Sequence, residues 1–320
     1  MQTSQVLVAM MIGMLSAVAI ADPGYPNRPI RLITPYAPGG STTVTGRMLG
    51  EHFTSRWRQN LIVDNRGGGN TVIGTALVAK SAPDGYTILL TTTTHSILPS
   101  VMKTPYDPVR DFAPIATIGI QPHVLVLHPG VAANTVQEVI ALAKSNPGQP
   151  TFASSSSGGT SHMAGEVFNM LAGVKIRHIP YKGGGPATID LLGGHVQMFY
   201  SVPINIVGHV QSGKLKAVAV TGETRLTALP QTPTFAEGGI AGFDVKTWHG
   251  VLAPAGTSRT IVDKLSAEIG ALLAMPGVRE KLEALGLTTM ISTPEQFGAM
   301  IKSEIGLYLK VVRAANIRIE

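Results

Sequence analysis

The sequence predicts an α/β fold in two lobes, on three observations. Short apolar strand patterns alternate with helical ones along most of the chain. The 320 residues are too many for a typical single domain and comfortable for two. A strand–glycine turn–helix unit, opened by residues 30–53, recurs near residue 151 after a crossover. Hydrophobic residues make up 44% of the chain and charged ones 14%, as in a protein that builds a core rather than a disordered one.

In chain order, Val6 to Ile20 is apolar and Ala19-Ile20-Ala21 forms a small-residue processing site, so residues 1–21 read as an export signal. Its first five residues lack the usual Lys or Arg. Residues 30–34 alternate as a strand, and Pro35 to Gly40 turns into a helix marked by Val44, Met48, Leu49 and Phe53. Ser41 or Thr42 is the expected N-cap. Glycines let the backbone approach a ligand, and the helix start offers unpaired N–H groups at the positive end of its dipole. That combination is an anion cradle, although an ordinary strand-to-helix turn has the same look.

A strand over Asn60 to Asn65 and a helix over Val72 to Lys80 follow, then a strand from Tyr86 that runs into Thr91 to Ser96. Hydroxyls at a strand's carboxyl end, here Thr92, Thr93 and Thr94, stand where open α/β sheets bind ligands, or else cap the next turn. Ile115 to Ile120 and Val124 to His128 are strands split by Gln121-Pro122, the expected crossover. Beyond a helix at Val136 to Lys144, Thr151 to Ala153 leads into Ser154 to His162 and a helical face of Met163, Val167, Met170 and Leu171. This second cradle, with Ser155, Ser156, Gly159, Thr160 and Ser161, faces the first if the lobes oppose. Strands are expected at Lys175 to Tyr181, Gln197 to Tyr200 and Leu215 to Val220, with Tyr200 and Ser201 at a loop, and a helix at Thr188 to Leu192. Val245 to Leu252 is extended, a helix starts from Ala253 to Thr257, and the rest is mostly helical. The boundaries expected are residues 22–122 for the first part of lobe 1, 123–246 for lobe 2 and 247–320 for the return to lobe 1.

Composition and motif spacing exclude several chemistries. A net charge of +6 is scattered and only 5% of residues are aromatic, which argues against a nucleic-acid surface. With no Cys there are no disulfides and no thiolate chemistry. No nucleophile elbow and no nucleotide-binding glycine loop occur, and the nine His are dispersed as surface or capping residues, so no metal or cofactor is expected. The Ser154–Ser157 run reads as hydrogen-bond donors; a serine hydrolase is the weaker alternative. Trp248, in the return crossover, is the better candidate for a cleft wall of the two Trp.

Several motifs taken together carry a resemblance. They are Tyr25-Pro26-Asn27-Arg28-Pro29-Ile30; Pro38-Gly39-Gly40-Ser41 with Arg47; Ala82-Pro83-Asp84-Gly85-Tyr86; Tyr106-Asp107-Pro108 with Asp111-Phe112; His162 to Glu166; Pro180 to Gly183 with Asp190 to Gly194; and Val251 to Gly256. In this order they resemble the extracytoplasmic solute receptors of tripartite tricarboxylate transporters, the Bug family, over nearly all of residues 24–320. The resemblance implies a type II-like periplasmic binding fold with two interdomain crossovers. It implies a monomer that captures a small carboxylate between the lobes and passes it to a membrane permease without catalysis; a ligand sensor for a sensor kinase is the alternative. The family holds one carboxylate on backbone amides of the first cradle, often with ordered waters, here Gly39, Gly40 and Ser41 with Pro38 and Thr42 beside them, and the other end on the second cradle, here Ser155 to Ser161. Two positions depart from the family, Thr43 and Tyr200, where it usually has Asp. The expectation is a di- or tricarboxylate or an aromatic carboxylate, without an amine and with an aromatic or larger apolar body, for which Tyr200 adds an aromatic wall.

Overall fold

The computed structural model describes residues 24–314. The expected export signal, residues 1–21, lies outside them. The chain first lays down β1 (Ile30–Thr34), α1 (Ser41–Trp57), β2 (Leu61–Asn65), α2 (Val72–Ala79), β3 (Thr87–Thr92), α3 (Thr94–Val101) and β4 (Phe112–Pro122). Next come β5 (Val124–Leu127), α4 (Val136–Ser145), β6 (Thr151–Ser154), α5 (Thr160–Ala172), β7 (Arg177–Pro180), α6 (Gly184–Leu192), β8 (Met198–Ser201), α7 (Pro203–Gln211) and β9 (Lys216–Val220). The last part is β10 (Lys246–Pro254), α8 (Arg259–Ala274), α9 (Pro276–Ala284), β11 (Thr288–Thr289) and α10 (Pro294–Ala314).

These strands form two sheets, each dressed with its own helices, and so a two-lobed α/β fold. One sheet has the order β11-β4-β10-β3-β1-β2 and the other β7-β6-β8-β5-β9. β1 is parallel to β2 and β3, while β10 returns antiparallel between β3 and β4. In the second sheet β6 is parallel to β7 and β8, and β5 runs antiparallel to β8 and β9. Strands covered on both faces need apolar residues on both, which is why β3 and β5 read as continuous runs. Side-chain alternation then splits each core into two layers. Leu32, Leu90, Val251 and Leu265 pack with Phe53 on one side of the first sheet, and Ile33, Leu89, Leu252 and Phe297 on the other.

Three sequence expectations change. Gln121 and Pro122 do not interrupt a strand; they pair with Thr247 and Lys246 as the end of β4, and the passage between sheets is His123 alone. A proline ends this strand without breaking it because nothing beyond needs its missing N–H. The polar segment after Thr92 becomes α3, whose Ile97 packs with Val312 of α10. The helix expected from Ala253 starts only at Arg259, with the Ser258 hydroxyl accepting from the Ile261 N–H.

Trp248 does not face the cleft. Its ring packs edge-on against Phe297 at 5.0 Å, and its indole N–H donates to Glu304 Oε2 at 2.7 Å. The cleft itself is shut. The Ala37 N–H of the first lobe donates to the Lys182 carbonyl of the second at 2.7 Å, and Met163 of α5 joins Ile97 and Val312 in a small apolar cluster.

Candidate ligand-binding cleft

Both cradles are built the same way. Gly39 takes φ +87°, which turns the chain so that Gly40, extended at φ −90° and ψ 179°, becomes the N-cap of α1. The cap therefore comes before both expected residues, one ahead of Ser41 and two ahead of Thr42, and no side chain caps this helix. Thr43 and Val44 both donate to the Gly40 carbonyl, which leaves the Ser41 and Thr42 amides without partners among the described residues. In the second lobe Gly159, at φ −85° and ψ 173°, caps α5, again with no side-chain cap. Its carbonyl accepts from Met163, and the amides of Thr160 and Ser161 stay open. A Cβ on Gly159 would come within 2.4 Å of Ser156 Oγ, so only glycine fits there. Two open helix N-termini thus present N–H groups and positive dipole ends, a neutral way to hold anions.

Between the lobes these ends share one narrow cleft. Gly40, Ser41, Thr42 and Thr92 line it from the first lobe, and Ser155, Thr160, Ser161 and Tyr200 from the second. Thr92 Oγ1 is 2.7 Å from the Tyr36 hydroxyl, and Ser161 Oγ accepts from the Ser155 amide at 2.9 Å. None of the residues lining the cleft is Asp, Glu, Lys or Arg.

Half of the expected site residues stand just behind this surface. Pro38 and Gly39 pack against Gly185 of α6. Thr43 Oγ1 accepts from Asn65 Nδ2 at 3.1 Å and Thr93 Oγ1 from the Trp248 amide at 2.9 Å. Thr94 Oγ1 accepts from Thr92, Ser156 is buried below the second cradle, and the Ser201 hydroxyl turns to the Val202 carbonyl. Tyr200 does not supply an aromatic wall. Strand parity sends its ring into the second lobe's core, among Phe152 at 5.7 Å, Phe168 at 5.9 Å and Phe243 at 6.3 Å.

Sequence reasoning missed Tyr36, His123, Gly184, Asn205, Thr247 and His249, which also line the cleft. The only signal for His249 is its pairing with Thr92 across β10 and β3, a register the sequence does not print. These two histidines are not surface residues: burial lowers the pKa of His123 and of His249 to about 4, so both rings are neutral near pH 7. Gln121 Nε2 lies 3.2 Å from His249 Nε2, and His249 Nδ1 lies 3.3 Å from Thr45 Oγ1. Thr45 in turn donates to the Ser41 carbonyl at 3.1 Å, which fixes the first turn of α1 from behind.

The sequence matches the tripartite tricarboxylate transporter family receptor, TctC, over residues 45–317. The chain belongs to that family. Among this receptor's relatives, BugT of Bordetella pertussis is 38% identical over 310 residues, spanning 95% of this chain and 94% of BugT. The solved periplasmic binding protein BugD superposes with a TM-score of 0.89 at 35% identity, covering 92% of this chain and 100% of BugD. MatC of Rhodopseudomonas palustris, solved with malate, superposes at 0.86 with 28% identity over 90% of this chain and 100% of MatC. Another R. palustris protein, solved with adipate, superposes at 0.89 with 29% identity over 92% of this chain and 99% of its own. Among the described residues, no helix of the receptor is long and apolar enough to cross a membrane.

Proposed function

We propose that this receptor works outside the cytoplasmic membrane, captures a small dicarboxylate between its lobes and delivers it to the permease of a tripartite tricarboxylate transporter. The observation that carries the reading is the pair of open helix ends, Ser41–Thr42 and Thr160–Ser161, brought to one uncharged cleft from opposite lobes. Each end suits one carboxylate, and hydroxyls between them suit the rest of a short acid. The adipate and malate held by two relatives have this form. Export through residues 1–21 and action as a monomer belong to the same proposal, as do the contributions of Pro38, Gly39, Thr43 and the other residues behind the cleft surface.

The reading includes no catalysis. The second cradle does hold a serine–histidine pair, Ser154 with His178 Nε2, but it lies beneath the cleft surface. Ser154 donates its proton to the Ser156 carbonyl at 3.0 Å and accepts from His178, the reverse of what a general base requires. Isothermal titration of the exported chain with malate, adipate, citrate, aspartate and benzoate tests the proposal. Binding of at least one di- or tricarboxylate at one site per chain is expected. Failure of all of them to bind or to raise the melting temperature would overturn it.

A further inference from the structure

We propose that His123 is a hydrogen-bond acceptor inside the cleft, and that it makes this receptor prefer carboxylates bearing a hydroxyl over the same skeleton without one. The inference rests on the reading of the cleft as a carboxylate site.

His123 is the single residue between β4 and β5, where the chain passes from one sheet to the other. Its backbone is tied on both sides to one residue: its N–H donates to Thr221 Oγ1 and its carbonyl accepts from the Thr221 N–H, each at 2.8 Å. The ring is buried and lines the cleft. Nδ1 lies 3.3 Å from the Val245 carbonyl. A carbonyl only accepts, so Nδ1 carries the ring proton, and a neutral imidazole has one N–H to give. Nε2 is therefore a lone pair, and no described residue donates to it. Burial keeps the ring neutral, and no acid lines the cleft to charge it.

A carboxylate also only accepts. An unsubstituted dicarboxylate satisfies the amides of the two helix ends but leaves Nε2 facing lone pairs or carbon. A ligand hydroxyl supplies the missing donor. Thr247 stands in the same cleft with a buried, unpartnered Oγ1, and its hydroxyl serves as donor back to the ligand. Sites that hydrogen-bond a substrate hydroxyl reject the analogue lacking it, because the buried protein group is then left unpaired.

The test compares malate with succinate, and citrate with tricarballylate, by titration calorimetry on the wild-type chain and on His123→Phe. In the wild type the hydroxylated member of each pair should bind at least about tenfold more tightly. In His123→Phe that ratio should fall to about one, whatever happens to either affinity alone. A fluorine accepts but cannot donate, so 2-fluorosuccinate should bind the wild type like succinate; this arm needs no variant and holds if His123→Phe does not fold. Equal binding within each pair, fluorosuccinate matching malate, or a ratio that survives in a folded His123→Phe would each overturn the proposal. Tight binding of unsubstituted acids with no hydroxyl preference would overturn it alone and leave the carboxylate receptor standing. Absence of binding by all five acids would overturn both.

Discussion

His95, His123, His162 and His249 are each lowered by burial to a pKa of about 4, and His178 to about 3 with His162 stacked on it at 3.8 Å. In the unfolded chain these rings titrate near 6.5. Between the two values the unfolded state binds more protons than the folded one, so the stability they confer is complete above pH 6.5 and is lost as pH falls toward 4. Glu166 and Glu304, whose carboxyls burial raises, oppose this by favouring the folded state on acidification. Five rings against two carboxyls leave a net loss. The melting temperature of the ligand-free protein should therefore drop by at least about 5 °C between pH 7 and pH 5, measured by calorimetry. A flat profile across that range would show the rings to be charged or exposed.

Among the elements, two glycines separate fold from function. Gly165 lies on the face of α5 against β6, where a Cβ would stand 2.2 Å from the Phe152 ring, so Gly165→Ala should cost about 1–3 kcal/mol in chemical denaturation. Gly185 opens α6 against the other lobe, where a Cβ would meet the Pro38 carbonyl at 2.4 Å. That clash exists only when the lobes are closed. Gly185→Ala should weaken binding of whichever carboxylate the wild type takes by at least about tenfold in titration calorimetry while the ligand-free melting point stays within about 2 °C, because closure is linked to binding. The strand–glycine turn–helix units were legible because glycine, hydroxyl and apolar periodicity all act locally. The N-cap moved to Gly40 because it depends on Gly39 taking φ +87°. α3 and α7 were missed because a threonine run and a proline start look like loops until Ile97 and Ile206 are packed. His123, Asn205, Thr247 and His249 could not be seen, since only sheet register and the crossover bring them to the cradles. Tyr200 was seen but turned the wrong way, a matter of strand parity.

For the whole molecule, charge is kept away from the events that matter. The net charge is +6, yet no residue lining the cleft is formally charged, and among the described residues the one ion pair across the lobe boundary is Lys246–Asp244, two residues apart at the return passage. Closure rests instead on the Ala37–Lys182 backbone bond, on glycine contacts and on the apolar cluster of Ile97, Met163 and Val312. On the proposed reading an anion is held by amide dipoles inside a closed cleft, where mobile ions screen little. Surface charges act only at a distance, on the rate of encounter, over a Debye length of about 10 Å in 0.1 M salt. Raising sodium chloride from 50 to 300 mM should thus change the Kd of whichever carboxylate binds in titration by less than about threefold, with any loss falling on the association rate. A receptor that grips its ligand through exposed Lys or Arg would lose far more over the same range. Stopped-flow association together with equilibrium titration across the salt series separates the two, and a steep rise in the dissociation rate would place a cation against the ligand.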